Sequence, residues 1–172
     1  ERPQSLAMAA ARGRADGRMR YACRAAVVAA LAANSDLTGV QVEHCWPGDQ
    51  QEPESIWLNP SEGVELEIPW FRGTPSASVP VAIDDKFSIP VEIIVSNKGA
   101  TPAVSEARLS VLTNAVLTTI TADPVLTPEL TVPTGWQIIA ATIAAIEGPG
   151  TARGREGAQS YASVTVHVHT RK

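Results

Sequence analysis

Hydrophobic and polar residues alternate with a period of two over much of the chain, which is the pattern of half-buried β-strands. The clearest alternation covers 85–97, where the residues on one face are all apolar: Phe87, Ile89, Val91, Ile93 and Val95. Other runs predict five further strands, over 40–46, 55–59, 62–71, 136–148 and 162–172. In the last of these runs, Val164, Val166 and Val168 share one face.

Two segments follow the helical period instead. Residues 18–34 are rich in alanine, and larger apolar side chains mark the side expected to be buried: Val27, Val28 and Leu31. Pro102 opens a second helix that runs to about Thr121, and its apolar stripe is made of Leu109, Leu112, Val116 and Ile120. The order of elements predicts an α+β fold, in which a mixed, mainly antiparallel sheet is flanked by two helices on one face.

The segment 136–148 differs from the other predicted strands because both of its faces are apolar. The two faces are made of Ile139, Ala141, Ile143 and Ala145, and of Ile138, Ala140, Thr142 and Ala144. An apolar second face requires a cover, which is either a helix or a neighbouring subunit. We therefore expect a symmetric homo-oligomer.

Prolines and glycines mark the connections between these elements. Pro90 cannot donate a ladder hydrogen bond, so we expect it at an edge, at a bulge or at an outward-facing site. Residues 72–80 are predicted to form an exposed link, and 148–160 a glycine-rich hairpin tip that carries Arg153 and Arg155. Both segments are expected to be mobile in the free protein and to become ordered on assembly.

Composition limits the domain organisation. The chain has 172 residues, of which 44% are hydrophobic and 19% charged, and this suits one folded domain, assigned to 19–172. Residues 1–18 form an arginine-rich leader, predicted to be a flexible or docking arm. Residues 1–24 hold six arginines against one Glu and one Asp, a net charge of +4, so the remainder carries −8 of the total of −4. The leader suits nucleic acid or an acidic partner. No apolar run reaches the ~18 residues of a membrane span.

The two cysteines, Cys23 and Cys45, are too few for the disulfide framework of a small secreted scaffold. We predict that both are reduced and buried, as small apolar residues of a protein made in the cytosol.

Few residues are candidates for catalysis or metal binding. His167 and His169 leave the same face of a strand, and His44 supplies a third zinc ligand if its strand lies beside them. Surface histidines on an outer sheet face give the same pattern, and we favour that interpretation. Asp84 and Asp85 face opposite sides of a strand and are interpreted as turn residues. The chain has neither a nucleophile elbow nor a phosphate loop. We predict no catalytic residue, no metal and no cofactor.

Four tryptophans stand out in a chain with only 5% aromatic residues: Trp46, Trp57, Trp70 and Trp136. Tryptophan is common in cores and is also enriched in protein interfaces, so both roles stay open. The candidate interface residues are Trp57, Trp70, Arg153 and Arg155.

Several segments, taken in chain order, together resemble a known protein family. They are the alanine-rich helix, DDKFSIPVEIIV (84–95), PAVSEARLSVLTNAVLTTITADPVL (102–126), WQIIAATIAAIEGPG (136–150) and GREGAQSYASVTVHVHTRK (154–172). Their order, the character of the loops and the basic final strand resemble the tail terminator (tail completion) proteins of long-tailed, siphovirus-type actinobacteriophages. The resemblance covers residues 19–172 and leaves the leader unmatched.

The resemblance implies a mixed sheet flanked by helices and a ring, commonly a hexamer, at the head-proximal end of the tail tube. Such a ring ends tube polymerisation and provides the surface for head joining. Its partners are further copies of itself, the major tail tube protein and a head–tail connector or neck protein. Genomic DNA passes through the lumen without sequence-specific binding, and no membrane is involved. The resemblance further implies that the protein belongs to the virion tail or neck and is assembled in the host cytoplasm.

Within this picture Arg153 and Arg155 are expected to face an acidic partner, the lumen or the acidic body of the adjacent subunit. Three other functions stay open. The nearest is a head-closure or head–tail connector neck protein, and a second is a monomeric binding module whose ligand lies among the tryptophans. The third is a metal-dependent enzyme that uses His167 and His169.

Overall fold

The computed structural model describes residues 4–60, 62–67, 84–126, 135–154 and 157–172, with side chains described from residue 19 onward except those of 62–67. These residues form two α-helices and six β-strands. In chain order the elements are α1 (Gln4–Ala33), β1 (Gln41–Glu43), β2 (Glu54–Leu58), β3 (Glu62–Glu67), β4 (Asp84–Lys98), α2 (Pro102–Ala122), β5 (Gln137–Gly154) and β6 (Gly157–Arg171). Short 3-10 turns occupy Ser35–Leu37 and Gly48–Gln50. The predicted α+β class is confirmed.

The strands form one mixed sheet in the order β1-β2-β4-β6-β5. β1 and β2 are parallel, and every other described pair is antiparallel. β6 pairs with β4 along its whole length, so β2 and β3 share the other edge of β4 at its two ends. β4 is therefore the central strand, while β1 and β5 lie at opposite edges of the sheet.

The core lies between one face of this sheet and both helices. The apolar faces predicted for β4 and β6 are buried, and so is the predicted stripe of α2: Leu109, Leu112, Val116 and Ile120. In α1 the buried residues include Met19, Cys23, Val27 and Leu31, whose spacing of four places them on one helix face. Burial of these side chains is the main favourable term that holds the helices against the sheet.

α1 begins at Gln4, which is earlier than the predicted start at residue 18. Alanine, arginine, leucine and methionine dominate residues 4–18, and all four are strong helix formers. Gly13 and Gly17 weaken a helix by about 1 kcal/mol each, but they do not end this one. Residues 4–18 of the arginine-rich leader therefore form the first part of α1.

Pro90 lies in the middle of the central strand, and of the three predicted positions it takes the outward-facing one. Its neighbours Ile89 and Val91 point into the core, so Pro90 faces the other side of the sheet. It falls between the part of β4 that pairs with β3 and the part that pairs with β2. The carbonyl oxygen of Pro90 accepts a hydrogen bond from the N–H of Asn59 at 2.9 Å. Proline has no N–H, and the side of its backbone on which that donor is missing faces the break between the β3 and β2 ladders.

The predicted hairpin tip 148–160 is mostly strand. Pairing between β5 and β6 continues through Gly150–Tyr161 to Gly154–Gly157, so only 155–156 remain to connect the strands, and Arg155 lies outside the described residues. β5 contains three register shifts, at 138/140, 143/145 and 147/150. Each shift changes which side chains share a face, so the two apolar faces predicted for 136–148 are not continuous. Within 136–148 the buried residues are Trp136 and Ala141.

The two cysteines have different environments, and both are free thiols. Cys23 is buried as predicted, and burial, together with the charge of Asp85, raises the pKa of its thiol to about 12. Cys45 is exposed, so the prediction that it is buried is wrong. It lies two residues beyond the end of β1, where the alternation of strand faces has stopped.

Candidate assembly surfaces

The face of the sheet opposite the helices carries the predicted histidines. His167 and His169 both lie on this outer face, beside Ser88 and Lys86 of the central strand. Together with Thr142 and Ala140 of β5, they line a shallow cavity of about 300 Å³. The structure thus places both histidines on the outer sheet face, as favoured from the sequence.

The three-histidine site considered from the sequence is not formed. His44 follows β1 at one edge of the sheet, and β2 and β4 separate it from His167 and His169 on β6. Among the described residues no group of three or more His, Cys, Asp or Glu side chains is arranged to hold a metal ion. The described helices likewise include none long and apolar enough to cross a membrane.

Asp84 and Asp85 are strand residues, so their interpretation as turn residues is wrong. They do face opposite sides of β4, as predicted. Asp85 is fully buried and accepts two hydrogen bonds from Arg20 of α1, at 2.8 Å and 3.1 Å. Asp84 lies on the outer face, 2.8 Å from Nε of Arg171 and 2.8 Å from Nε2 of His169. Each carboxylate therefore has a structural ion pair.

The Asp84 cluster makes stability depend on pH. Hydrogen bonds from Arg171 and then His169 hold the pKa of Asp84 below its ordinary value. A carboxyl whose folded pKa is lowered stabilises the fold above its unfolded pKa, about 3.9, and loses that contribution as pH falls towards the folded value. We expect Asp84→Asn to lose less stability than the parent over this acid range. Urea unfolding at several pH values measures the free energy of unfolding of both proteins. If that free energy falls with pH in parallel for the two proteins, Asp84 is not the source of the pH dependence.

The predicted interface residues lie in different parts of the fold. Arg153 is exposed near the end of β5, and Trp57 is half-buried on the outer sheet face, while Trp70 and the link 72–80 lie outside the described residues. Of these residues the structure describes Trp57 on β2 and Arg153 on β5, and it does not bring these two together. Of the other tryptophans, Trp136 belongs to the core.

An aromatic edge, defined as Tyr21, His44 and Trp46, lies beside β1. The rings of Tyr21 and His44 are stacked, with centroids 6.0 Å apart and planes within 8°. Trp46 follows two residues later and is 63% exposed, and Tyr21 is 65% exposed. Sequence reasoning missed this surface, although Pro47-Gly48 directly after Trp46 marks a turn, where a large side chain is easily exposed.

The opposite edge of the molecule carries an α2–β5 groove. It has a volume of about 270 Å³ and is lined mainly by Leu117, Ile146 and Pro149, with Glu106 as its charged lining residue and with the polar residues Ser110, Thr113 and Asn114. Ile146 is 51% exposed there. The register shift between 143 and 145 pairs Ile146 with Val164, on the face that the helices cover, and no periodic pattern in the sequence predicts this shift.

Comparisons with known proteins find a likeness to a solved structure. No family model matches the chain, and no curated protein matches it. A chain in a solved structure described as the virion of a native gene transfer agent (GTA) particle is similar to it, with a TM-score of 0.54 and 14% sequence identity. The match covers 87% of this chain and 94% of that chain. The protein therefore shares the fold of a component of that virion.

Proposed function

We propose that the chain is a structural protein of a phage-like virion. The observation that carries this proposal is the match to a chain of a gene transfer agent virion, which extends over nearly the whole of both chains. A match of this extent concerns the complete arrangement of sheet and helices and not a common local motif. The function then resides in surfaces that bind other subunits.

The finer proposal is a tail terminator, which forms a ring at the head-proximal end of the tail tube. The resemblance of residues 19–172 to that family supports it, and so do the uncovered surfaces at both edges of the sheet. Further copies of the chain, the tail tube protein and a neck protein are the proposed partners, with DNA passing through the lumen. A head-closure or connector protein is the second candidate, since it belongs to the same part of a virion.

Residues 1–18 are proposed to be a docking arm of the domain 19–172. The core contacts described for α1 run from Met19 to Leu31. The arginines at 12, 14 and 18 precede these contacts on the same continuous helix. Such a segment suits an acidic surface of a partner.

Growth of tail tubes in the presence of the chain tests the proposed function. Tail tube protein from the same particle is polymerised with and without the purified chain, and tube lengths are measured by electron microscopy. We expect tubes to stop growing at an amount of chain far below that of tube protein, because one ring caps one tube. A connector binds heads and leaves tube length unchanged. A monomeric binding module stays at 18.1 kDa, binds no heads and leaves tube length unchanged. Either result overturns the tail terminator proposal.

Replacing Arg153 and Arg155 together with alanine is expected to weaken binding to the tube end, without lowering the melting temperature. Arg153 is exposed, and an exposed ion pair contributes only about 0–1 kcal/mol, but a ring repeats it in every subunit. Raised salt is expected to mimic the loss in the parent. Lys172→Ala, at another exposed position, is the control. Equal binding of the double variant and the parent at low salt contradicts a role for these arginines.

A further inference from the structure

The ion pair between Arg20 and Asp85 lies at one end of the sheet. Asp85 is the second residue of β4, and it pairs in the ladders with Thr170, the next-to-last residue of β6, and with Leu66, the next-to-last residue of β3. The carboxylate is fully buried, and its partner on α1 is 26% exposed. The pair therefore joins α1 to the central strand at a level where three strands begin or end.

The same pair lies where the described core contacts of α1 begin. Those contacts run from Met19 to Leu31, and Arg20 directly follows the first of them. The helix itself starts at Gln4, so the 15 residues 4–18 precede these contacts on one continuous helix. At about 1.5 Å per residue, they span about 22 Å. Arg20 thus lies at the root of the segment proposed as a docking arm.

The contacts at this root differ in how strictly they fix the direction of the helix. Apolar packing by Met19 and Cys23 is non-directional and constrains a small tilt only weakly. A two-bond pair is directional, and Nε and Nη2 of Arg20 donate to the two carboxylate oxygens of Asp85 at 3.1 Å and 2.8 Å. The guanidinium also lies 5.2 Å from the ring centroid of Phe87, which restrains it from a second side.

We propose that the Arg20–Asp85 pair is a clamp that sets the direction in which residues 4–18 leave the domain. The root controls this direction, because a tilt of about 10° there displaces the far end of a segment of about 22 Å by about 4 Å. Such a displacement exceeds the length of a hydrogen bond, so it breaks a direct contact with a partner. Arg20 is then a positioning residue, which acts through the helix. The inference deepens the proposed function, on which it rests for the role of 4–18 as a docking arm.

Pulsed electron double resonance between two spin labels measures the direction of the segment in the full chain. One label is attached to Ala10→Cys, within α1, and the other to Val111→Cys, at a position on α2 that is 50% exposed. The exposed Cys45 is replaced by Ser, whereas Cys23 is buried with a raised thiol pKa and stays unlabelled. In a second sample, labels on Val111→Cys and on the native Cys45 report the body of the domain.

Two variants open the clamp. Arg20→Lys keeps the positive charge but cannot form the two-bond pair. Asp85→Asn removes the buried charge, so it leaves no carboxylate without a cation and serves if R20K folds poorly. We expect both to widen the distribution of distances from Ala10→Cys by about 4 Å, the displacement of the far end, and to leave the body distances unchanged. A parent-like width in folded D85N overturns the proposal, and so does a parent distribution as wide as those of the variants.

Two further variants separate the clamp from a general loss of stability. Arg108→Lys breaks an equivalent two-bond pair with Glu54, which joins α2 to β2. Leu112→Ala leaves a cavity at a fully buried position of α2. We expect both to keep the parent width. Equal widening in L112A assigns the effect to lower stability, and equal widening in R108K assigns it to the loss of any ion pair. Either result overturns the clamp.

The outcomes also separate the clamp from the function on which it rests. The labels report on the free chain, so widening in R20K and D85N with parent-like controls supports the clamp even in a chain that leaves tail tubes uncapped. Capped tubes, together with an unchanged direction of the segment in both variants, support the tail terminator and overturn the clamp.

Discussion

Replacing Arg20 with alanine is expected to lower the free energy of unfolding by about 3 kcal/mol, because it leaves a buried carboxylate without its cation. Asp85 is fully buried, and Arg20 donates two hydrogen bonds to it, at 2.8 Å and 3.1 Å. The guanidinium also lies 5.2 Å from the ring centroid of Phe87, a core residue. The Arg20 side chain is itself 26% exposed, so water near the vacated site offsets part of the loss.

Arg108→Ala provides a matched control for this prediction. Arg108 forms the same two-bond pair with Glu54, at 2.9 Å and 2.7 Å, but both partners are partly exposed. An exposed pair contributes about 0–1 kcal/mol. Urea unfolding of the two variants therefore separates the effect of burying the ion pair from the effect of its two-bond geometry. Equal losses of unfolding free energy in R20A and R108A contradict the account of the buried pair.

Replacing Gly157 with alanine is expected to lower the free energy of unfolding by about 2–4 kcal/mol, because strain and overpacking both apply. Gly157 has φ +142°, which residues with a side chain rarely adopt. An added Cβ meets the carbonyl oxygen of Asn97 and lies 2.8 Å from the amide nitrogen of Gly99. Both are backbone atoms, so the start of β6 has to move away from the end of β4.

Gly154→Ala is the control, since Gly154 pairs with Gly157 across the same hairpin. The nearest atom to a Cβ at position 154 is 4.0 Å away, and its φ is not positive. We expect G154A to change stability little. Hydrogen exchange of the β5 and β6 amides shows where the structure opens, and equal effects of the two variants contradict the prediction.

Periodicity predicted the parts of the fold in which one face is buried and the ladder is regular. β6 keeps strict alternation of burial over 15 residues, β4 departs from it in its buried part only at Ser88, and α2 keeps its stripe from Leu109 to Ile120. β5 was predicted less well, because each of its three register shifts changes which side chains share a face. A local sequence pattern contains no information on such shifts, which depend on the partner strand.

The candidate surfaces were less predictable than the fold because they depend on contacts between distant residues. Arg20 and Asp85 are 65 positions apart, and nothing near Asp85 in the sequence indicates a buried pair. Trp57 and Trp70 were preferred for an interface, but among the tryptophans that the structure describes Trp46 is the strongly exposed one. Its exposure follows from its position just beyond the short edge strand β1.

Electron microscopy of tail tubes mixed with the purified chain tests the central claim most directly. The account predicts a ring of this chain at one end of each tube, with none along the tube wall. Tube ends that stay bare at a chain concentration at which rings form alone contradict the claim.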